Sequence, residues 1–424
     1  MRGRTAETPW RAYRRANAVL DGELLRRPDE VTCPKSRRER RADAHRVAGE
    51  LYAALGNPQL AWPAIHVAGT SGKGSVAWGI AHLLRAAGLR VGLHVSPYLQ
   101  VATEKVWIDG RYIDGRSFAR LVDRVAPVVR RLRAPDCPAS IHGLASAAVA
   151  FEAFRRARVD VAVIEASCGG RYDVTAHLDT RVAVVTSVGD DHRDVLGPTL
   201  RDVAWHKAGV LRRGAAAVSG VTGVGRDVLR AEARALGVEL LEVPPRGRPL
   251  GARNRALAEA AVRAFGVESP GAPVVPPFPG RLETVARAPR VVLDIAHNPE
   301  KARGLVQSLG GGGDVVLVLG ALRGKNLAAM LRTLAGRCRR VVFTTPAVTG
   351  KTPVPAGELR DRFGAYFTEA RAVPEPRRAL EAGLRLAGRR GTVLVTGSAY
   401  LVGALRGRWI PDHAVLLARS SFPK

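Results

Sequence analysis

Acidic residues are scarce in this 424-residue chain: 38 Asp and Glu stand against 66 Lys and Arg, a formal net charge of +28. Aromatic residues are scarce as well, at 5%. The interleaving of basic and aromatic side chains that marks an RNA-binding surface is therefore missing. The basic residues are scattered, and their densest cluster, Lys35 to Arg41, is short and interrupted by Glu39. Nucleic acid is not expected as a partner, although the sign of the charge suits acidic substrates. The four cysteines, Cys33, Cys137, Cys168 and Cys338, lie too far apart for a zinc pattern and suggest no disulfide framework. No run approaches about eighteen apolar residues, so no transmembrane helix and no membrane partner are expected. No apolar stretch follows the basic start Met1 to Thr5, so no signal peptide is read there and a cytoplasmic protein is expected. The length predicts two or three domains with a sizeable core.

What the chain does have is a short apolar run, Ala64 to Ala68, that ends in Gly69-Thr70-Ser71-Gly72-Lys73-Gly74-Ser75. A helix over Val76 to Ala87 follows, with Gly88 as its C-cap. Strand, glycine-rich turn, lysine, serine and helix is the layout of a phosphate-binding loop. Backbone N–H groups and a helix N-terminus face the anion, Lys73 adds a point charge and Ser75 offers a hydroxyl to Mg²⁺. The match to G-x-x-x-x-G-K-[ST] is imperfect, with Val67 at the first glycine and Gly74 between Lys73 and Ser75. A glycine-rich surface turn is the bland alternative.

Residues 1–60 read as a helical, arginine-rich region, with a helix over Arg37 to Leu55 ended by Gly56-Asn57-Pro58. Strands are expected at Leu89 to Val95, Asp160 to Glu165 and Arg181 to Ser187, and helices at 116–132, 140–157 and Thr199 to Ala208. This alternation predicts a doubly wound, mostly parallel α/β sheet that binds ligands beyond the carboxyl ends of its strands. Glu165, His192 and the Gly69–Ser75 loop all fall at such ends. The proline-rich stretch 267–279 reads as a semi-rigid linker. Beyond it, strands at Arg290 to Asp294, Asp314 to Leu319, Arg339 to Thr345 and Gly391 to Thr396 predict a second, smaller Rossmann-like α/β domain. The expected domains are 1–268, a linker at 269–279 and 280–424.

Eight stretches, in order, resemble the folylpolyglutamate synthetase / dihydrofolate synthetase branch of the Mur ligase superfamily. They are His66 to Ser75, Ser96 to Leu99, Glu165 to Asp173, Asp191-His192, Lys207 to Gly209, Pro279 to Glu283, Asp294 to Pro299 and Val395 to Val402. The resemblance implies an ATP-dependent, ADP-forming ligase. ATP phosphorylates a carboxylic acid, and an amine or amino acid attacks the acyl phosphate to make an amide. It implies that the Gly69–Ser75 loop, Asn254, Arg281, Asp294 and His297 bind ATP. Ser75, Ser96, Glu165, His192 and Lys207 would form the shell of two Mg²⁺ sites, with Lys207 carbamylated. Lys73, Lys207 and His192 would be catalytic, and a monomer is expected.

The departures concentrate in the acid-substrate pocket, assigned by the resemblance to His142, Gly143, Arg171, Asp173 and Val174. The family's aromatic–Glu pair is replaced within Ser140-Ile-His-Gly-Leu144, and Gly-Gly-Arg-Leu-Asp-Ala-Thr-Asn becomes Gly169-Gly-Arg-Tyr-Asp-Val-Thr-Ala176. Ser71 and Tyr98 stand for the usual Asn and His. The stretch from about 240 to 254 is shorter than the family's. Losing a stacking ring and a buried acid weakens binding of an aromatic heterocycle. The expectation is a ligase for a non-folate carboxylic acid; the alternatives are a true folate enzyme and a non-catalytic nucleotide-binding relative.

Overall fold

The structure, a computed structural model, describes residues 7–24, 37–132, 141–244, 250–268, 274–310, 314–348 and 350–423. Cys33, Lys35, Cys137, Ser140 and the linker residues 269–273 lie outside them, as do 245–249 in the shortened stretch.

The first sheet has eight strands: β1 (Ala64–Ala68), β2 (Val91–His94), β3 (Trp107–Ile108), β4 (Arg111–Tyr112), β5 (Val161–Glu165), β6 (Thr180–Val185), β7 (Ala216–Ser219) and β8 (Leu240–Glu242). Their spatial order is β4-β3-β2-β5-β1-β6-β7-β8. Every pairing is parallel except at one edge, where β3 pairs antiparallel with both β2 and β4. β1 and β5 are buried along their whole length. Helices cover both faces, which is why these strands are continuous apolar runs rather than alternating ones. The helix Lys73–Ala86 packs between β1, β2 and β5 on one side and the helix Leu250–Ala264 on the other.

The second sheet contains β9 (Glu283–Arg287), β10 (Arg290–Leu293), β11 (Val315–Leu319), β12 (Arg340–Phe343), β13 (Glu369–Ala372) and β14 (Thr392–Thr396). Its order is β13-β12-β11-β14-β10-β9, with only β9 antiparallel. Four strands were expected here and six form. The two additional strands are the edges, which are half-exposed and carry charged residues instead of an apolar run.

The N-terminal region is helical over Pro9–Asn17, continues as a wider π turn over Ala18–Glu23, and resumes at Arg37–Ala54. The linker is better anchored than its composition suggests. Trp78 Nε1 donates to the Pro276 carbonyl (2.9 Å), and the Phe278 ring lies 5.3 Å from that of Trp78. The chain end also leaves the second layer. Val415 and Leu416 bury in the first core, and the Tyr112 hydroxyl lies 2.7 Å from Ser421 Oγ. The apolar face of the helix Asp412–Ala418 is what draws the tail back across the boundary expected at 280–424.

A buried ion pair sits on the seam between the two layers. Arg406, fully buried, donates to Glu283 through Nε (2.9 Å) and Nη2 (2.8 Å), to the Gln100 side chain through Nη1, and to the Ser421 carbonyl (2.6 Å). Removing one partner of such a pair strands the other charge away from water. Arg406→Met should therefore lower unfolding stability by about 3–5 kcal/mol in a denaturant titration; a change below about 1 kcal/mol would show that the seam does not depend on this pair.

Candidate active site

The site begins where β1 ends. Gly69 has φ of +146°, and a Cβ there would sit 2.0 Å from Thr186 Oγ1. Gly72 has φ of +85°, and its Cβ would sit 2.7 Å from Asn254 Oδ1. Both positions need glycine for backbone conformation and for close approach. The loop is clamped onto the segment after β6. Thr70 N–H donates to the Ser187 carbonyl (2.9 Å), Ser71 N–H to Ser187 Oγ (3.0 Å), and Thr186 Oγ1 to the Ser71 carbonyl (2.6 Å). These clamps leave the N–H groups of the first turn of Lys73–Ala86 as an anion cradle. Asn254, far away in sequence, comes close to Gly72 at the N-cap of that helix.

The parallel register pairs Val67 with Glu165, which sets a carboxylate beside the loop. Lys73 Nζ lies 3.8 Å from Glu165 Oε1, and Ser96 N–H donates to Glu165 Oε2 (3.0 Å). Burial pushes the Glu165 carboxyl up, while Lys73 and the Ser96 N–H oppose it. A cation is thus favoured at this carboxylate, and Ser75 lies in the same first helical turn. Hard oxygen donors of this kind suit Mg²⁺, which keeps most of its shell as water and phosphate oxygens. Among the described residues, no three His, Cys, Asp or Glu side chains converge into a ready-made metal cage.

Beyond β6, Asp191 is clamped from the second layer. Lys325 Nζ lies 2.7 Å from its Oδ1, and Asn298 Nδ2 donates to its Oδ2 (3.3 Å). Burial raises the Asp191 carboxyl, but His192 and Lys325 outweigh this and hold it well below the usual carboxylate range. His192 takes the left-handed conformation, φ +54°, which turns its ring toward the cleft beside Asp191. Lys207 is buried on the helix Leu200–Ala208; burial and the nearby Lys73 pull its ammonium down to about 8.

On the opposite wall, Asp294 accepts from the N–H groups of Leu282 (3.0 Å) and Ala296 (2.8 Å). It is 5% exposed. The structure thus commits it to the turn after β10, where the resemblance implied a direct nucleotide contact. His297 Nδ1 lies 2.9 Å from the Ile295 carbonyl, and its Nε2 lies 2.9 Å from Lys301 Nζ. The Arg281 guanidinium acts on both Asp294 and Glu165. A cavity of about 580 Å³ opens between the walls, lined by Ser187, Gly189, Arg253, Glu300 and Asn326 among others.

The five acid-pocket residues do not all behave as pocket walls. Arg171 stacks 4.0 Å from the Trp205 ring and pairs with Glu232 (2.5 Å). Asp173 is buried and accepts from Cys168 N–H (2.9 Å), Thr175 N–H (3.1 Å) and Thr175 Oγ1 (2.7 Å). The Val174 carbonyl accepts from Tyr52 OH (2.8 Å). These three residues build the loop after β5. Gly143 is half-buried in the first turn of the helix Ile141–Ala157. His142, in that same turn, meets a residue the sequence reading missed: its Nε2 lies 2.8 Å from Asp21 Oδ1. Tyr98 OH (2.6 Å) and Asn17 Nδ2 (2.7 Å) donate to Asp21 Oδ2. Burial acts to raise the Asp21 carboxyl, but the contacts from His142 and Tyr98 win and hold it below its ordinary value. Only the N-terminal helical turn brings Asp21 here, and no local motif marks it.

Comparison with known proteins gives a consistent picture. A family model, "Mur ligase, glutamate ligase domain", matches residues 280–399. The folylpolyglutamate synthase of Lacticaseibacillus casei is 32% identical over 416 residues, covering 85% of this chain and 93% of that protein. The Mycobacterium tuberculosis folylpolyglutamate synthase complexed with ADP superposes with a TM-score of 0.81 at 27% identity, over 95% of this chain and 99% of that one. A bifunctional folylpolyglutamate synthase/dihydrofolate synthase with Mn, AMPPNP and L-glutamate bound gives a TM-score of 0.74 at 26% identity, over 86% of this chain and 93% of that one.

Two substitutions probe the loop and the carboxylate beside it. Lys73→Ala should cut substrate-dependent ADP release by about 10²–10³-fold with the fold intact, because this lysine supplies charge to phosphates. Glu165→Gln should raise the Mg²⁺ concentration for half-maximal rate by about 10-fold or more. Wild-type rates and Mg²⁺ titrations in both variants would reduce the two residues to a structural ion pair.

Proposed function

Because the chain belongs to the folylpolyglutamate synthase / dihydrofolate synthase family of the Mur ligase superfamily, and is with that family an ATP-dependent, ADP-forming acid–amino acid ligase, we propose that its acid substrate is a folate and its amine substrate is glutamate. The altered residues at 140–144 pointed to a non-folate acid. That reading is displaced, because the three relatives above are all folylpolyglutamate synthases, and all three align along most of their length. The observation that carries the folate reading at the site is Asp21. A half-buried carboxylate, held below its ordinary value, stands against His142, whose turn lacks the family's acid. A carboxylate is the acceptor that the N–H donors of a pterin ring require.

The proposed mechanism follows from the walls of the cleft. The Gly69–Ser75 loop and Asn254 hold the nucleotide phosphates, and Lys73 neutralises the terminal ones. Glu165, Ser75, Ser96 and His192 would hold divalent metal, which supplies charge neutralisation and in-line alignment. The acid's carboxylate attacks the terminal phosphorus and ADP leaves. The amine then attacks the acyl phosphate, phosphate departs, and the amine proton is lost to solvent or to a base in the cleft. Arg281 and His297 face this region from the second layer, so the two layers are proposed to close on ATP. A second metal site at a carbamylated Lys207, a monomeric state and a cytoplasmic location belong to the same proposal.

Tetrahydrofolate or dihydropteroate with glutamate should support ADP release at kcat/KM of about 10⁴ M⁻¹s⁻¹ or more. Asp21→Asn should lower this by about 10–100-fold through the acid substrate, with KM for ATP unchanged. Turnover of other acids with neither folate accepted would overturn the folate assignment.

Lys207 offers a separate test. Its lowered value means that the free amine, the form that reacts with CO₂, becomes the major species above about pH 8. With ¹³C-bicarbonate, a carbamate resonance should grow as pH rises to that point and be absent in Lys207→Arg. An identical spectrum for both proteins would remove Lys207 from the metal site.

A further inference from the structure

Lys301 belongs to none of the motifs read from the sequence. It lies in the first turn of the helix Pro299–Ser308, whose N-cap Asn298 accepts from Lys301 N–H (2.9 Å). Its side chain is 8% exposed and turns back to His297. The contact of its ammonium is His297 Nε2, at 2.9 Å. Since His297 Nδ1 donates to the Ile295 carbonyl, Nε2 carries the lone pair and Lys301 is the donor. The imidazole is thereby fixed as a neutral acceptor. Among the described residues, no carboxylate comes within ion-pair distance of Lys301. Burying an ammonium with only a neutral partner is costly unless an anion arrives.

The surroundings say which anion. Lys73, Arg281 and Lys325 are close enough to repel Lys301, and with burial they drive its ammonium well below the ordinary lysine value; Asp191 opposes them. Glu165 and Asp294 also feel it across the cleft. Asp191 is already engaged by Lys325 and Asn298, and Asp294 by two backbone N–H groups. Glu300, next in the chain, lies on the Gly189 side of the cavity. Two further polar atoms, Arg281 Nε and Glu300 Oε2, are buried without a hydrogen-bond partner among the described residues. The loop lysine of a phosphate-binding loop reaches the terminal phosphates, and Lys301 shares its electrostatic neighbourhood from the other wall.

We propose that Lys301 is a nucleotide-contacting residue: carried by the second layer and aimed by His297, it donates to the terminal phosphoryl group of ATP opposite Lys73. This rests on the ATP-dependent ligase reading and adds to it a second lysine, one that discriminates the triphosphate from the diphosphate. Loss of the terminal phosphoryl group on transfer then releases the contact and weakens the hold of the second layer on ADP.

The test uses the full chain with Mg²⁺, measuring affinity for ADP and for the β,γ-imido analogue of ATP by calorimetry. Lys301→Met should weaken the analogue by about 10–100-fold and ADP by less than about 3-fold. It should also raise the melting temperature of the nucleotide-free protein, since a buried cation is removed. Lys301→Arg, which keeps the charge, should retain most of the analogue affinity. Equal losses for the two nucleotides, a lowered melting temperature in Lys301→Met, or no change in either affinity would each overturn the proposal. A wild-type chain that binds neither nucleotide would instead overturn the ligase reading on which it rests.

Discussion

Lys73, at the start of the helix that follows β1, and Glu165, at the end of the neighbouring strand β5, face each other at 3.8 Å, both largely buried. Neither charge is tolerable there without the other or an equivalent partner. Much of the surrounding architecture serves this arrangement. Gly69 and Gly72 let the loop approach Thr186 and Asn254 closely enough to set the lysine. The Ser96 N–H fixes the second oxygen of the carboxylate. Burial still raises the Glu165 carboxyl against Lys73 and the Ser96 N–H. A site that exchanges protein–protein neutralisation for phosphate and metal has to be left in this poised state.

The second layer meets this charge with charge of its own. Lys325 and Asn298 reach across to Asp191, Asn326 to Asp190 (3.3 Å), and Arg406 ties Glu283 to Gln100. These contacts hold the layers together at the cleft mouth and at the seam behind it. The first set is polar and near the nucleotide region, where ligand can compete with it. The second centres on the buried Arg406 and Glu283, the behaviour expected of a pivot rather than a gate.

The region proposed for the acid substrate draws its carboxylate from far away in the chain. The helix Ile141–Ala157 offers His142 and no carboxylate in its first turn, yet Asp21 arrives from a π turn more than a hundred residues earlier. Tyr98, in place of the family's His, is the residue that holds it. Two departures from the family's pattern, His142 and Tyr98, meet at one carboxylate, Asp21.

The sequence by itself determined the parts whose physics is local. Continuous apolar runs marked β1, β5, β6, β11 and β14, because strands buried on both faces have no polar side to alternate. The glycine spacing and Lys73 marked the phosphate loop, and Gly280, Asp294 and Gly397 fall in motifs recognisable in order. Edge strands β9 and β13 escaped because half-exposed strands look like charged loops. Only the tertiary structure decided what long-range contacts control. It committed Asp294, Asp173 and Arg171 to internal partners. It also brought Asp21 to His142, Asn254 to Gly72 and Lys301 to the wall facing Lys73. A residue's charge is written in the chain, but whether that charge is spent on a neighbour or left for a ligand depends on which strands and helices the fold sets side by side.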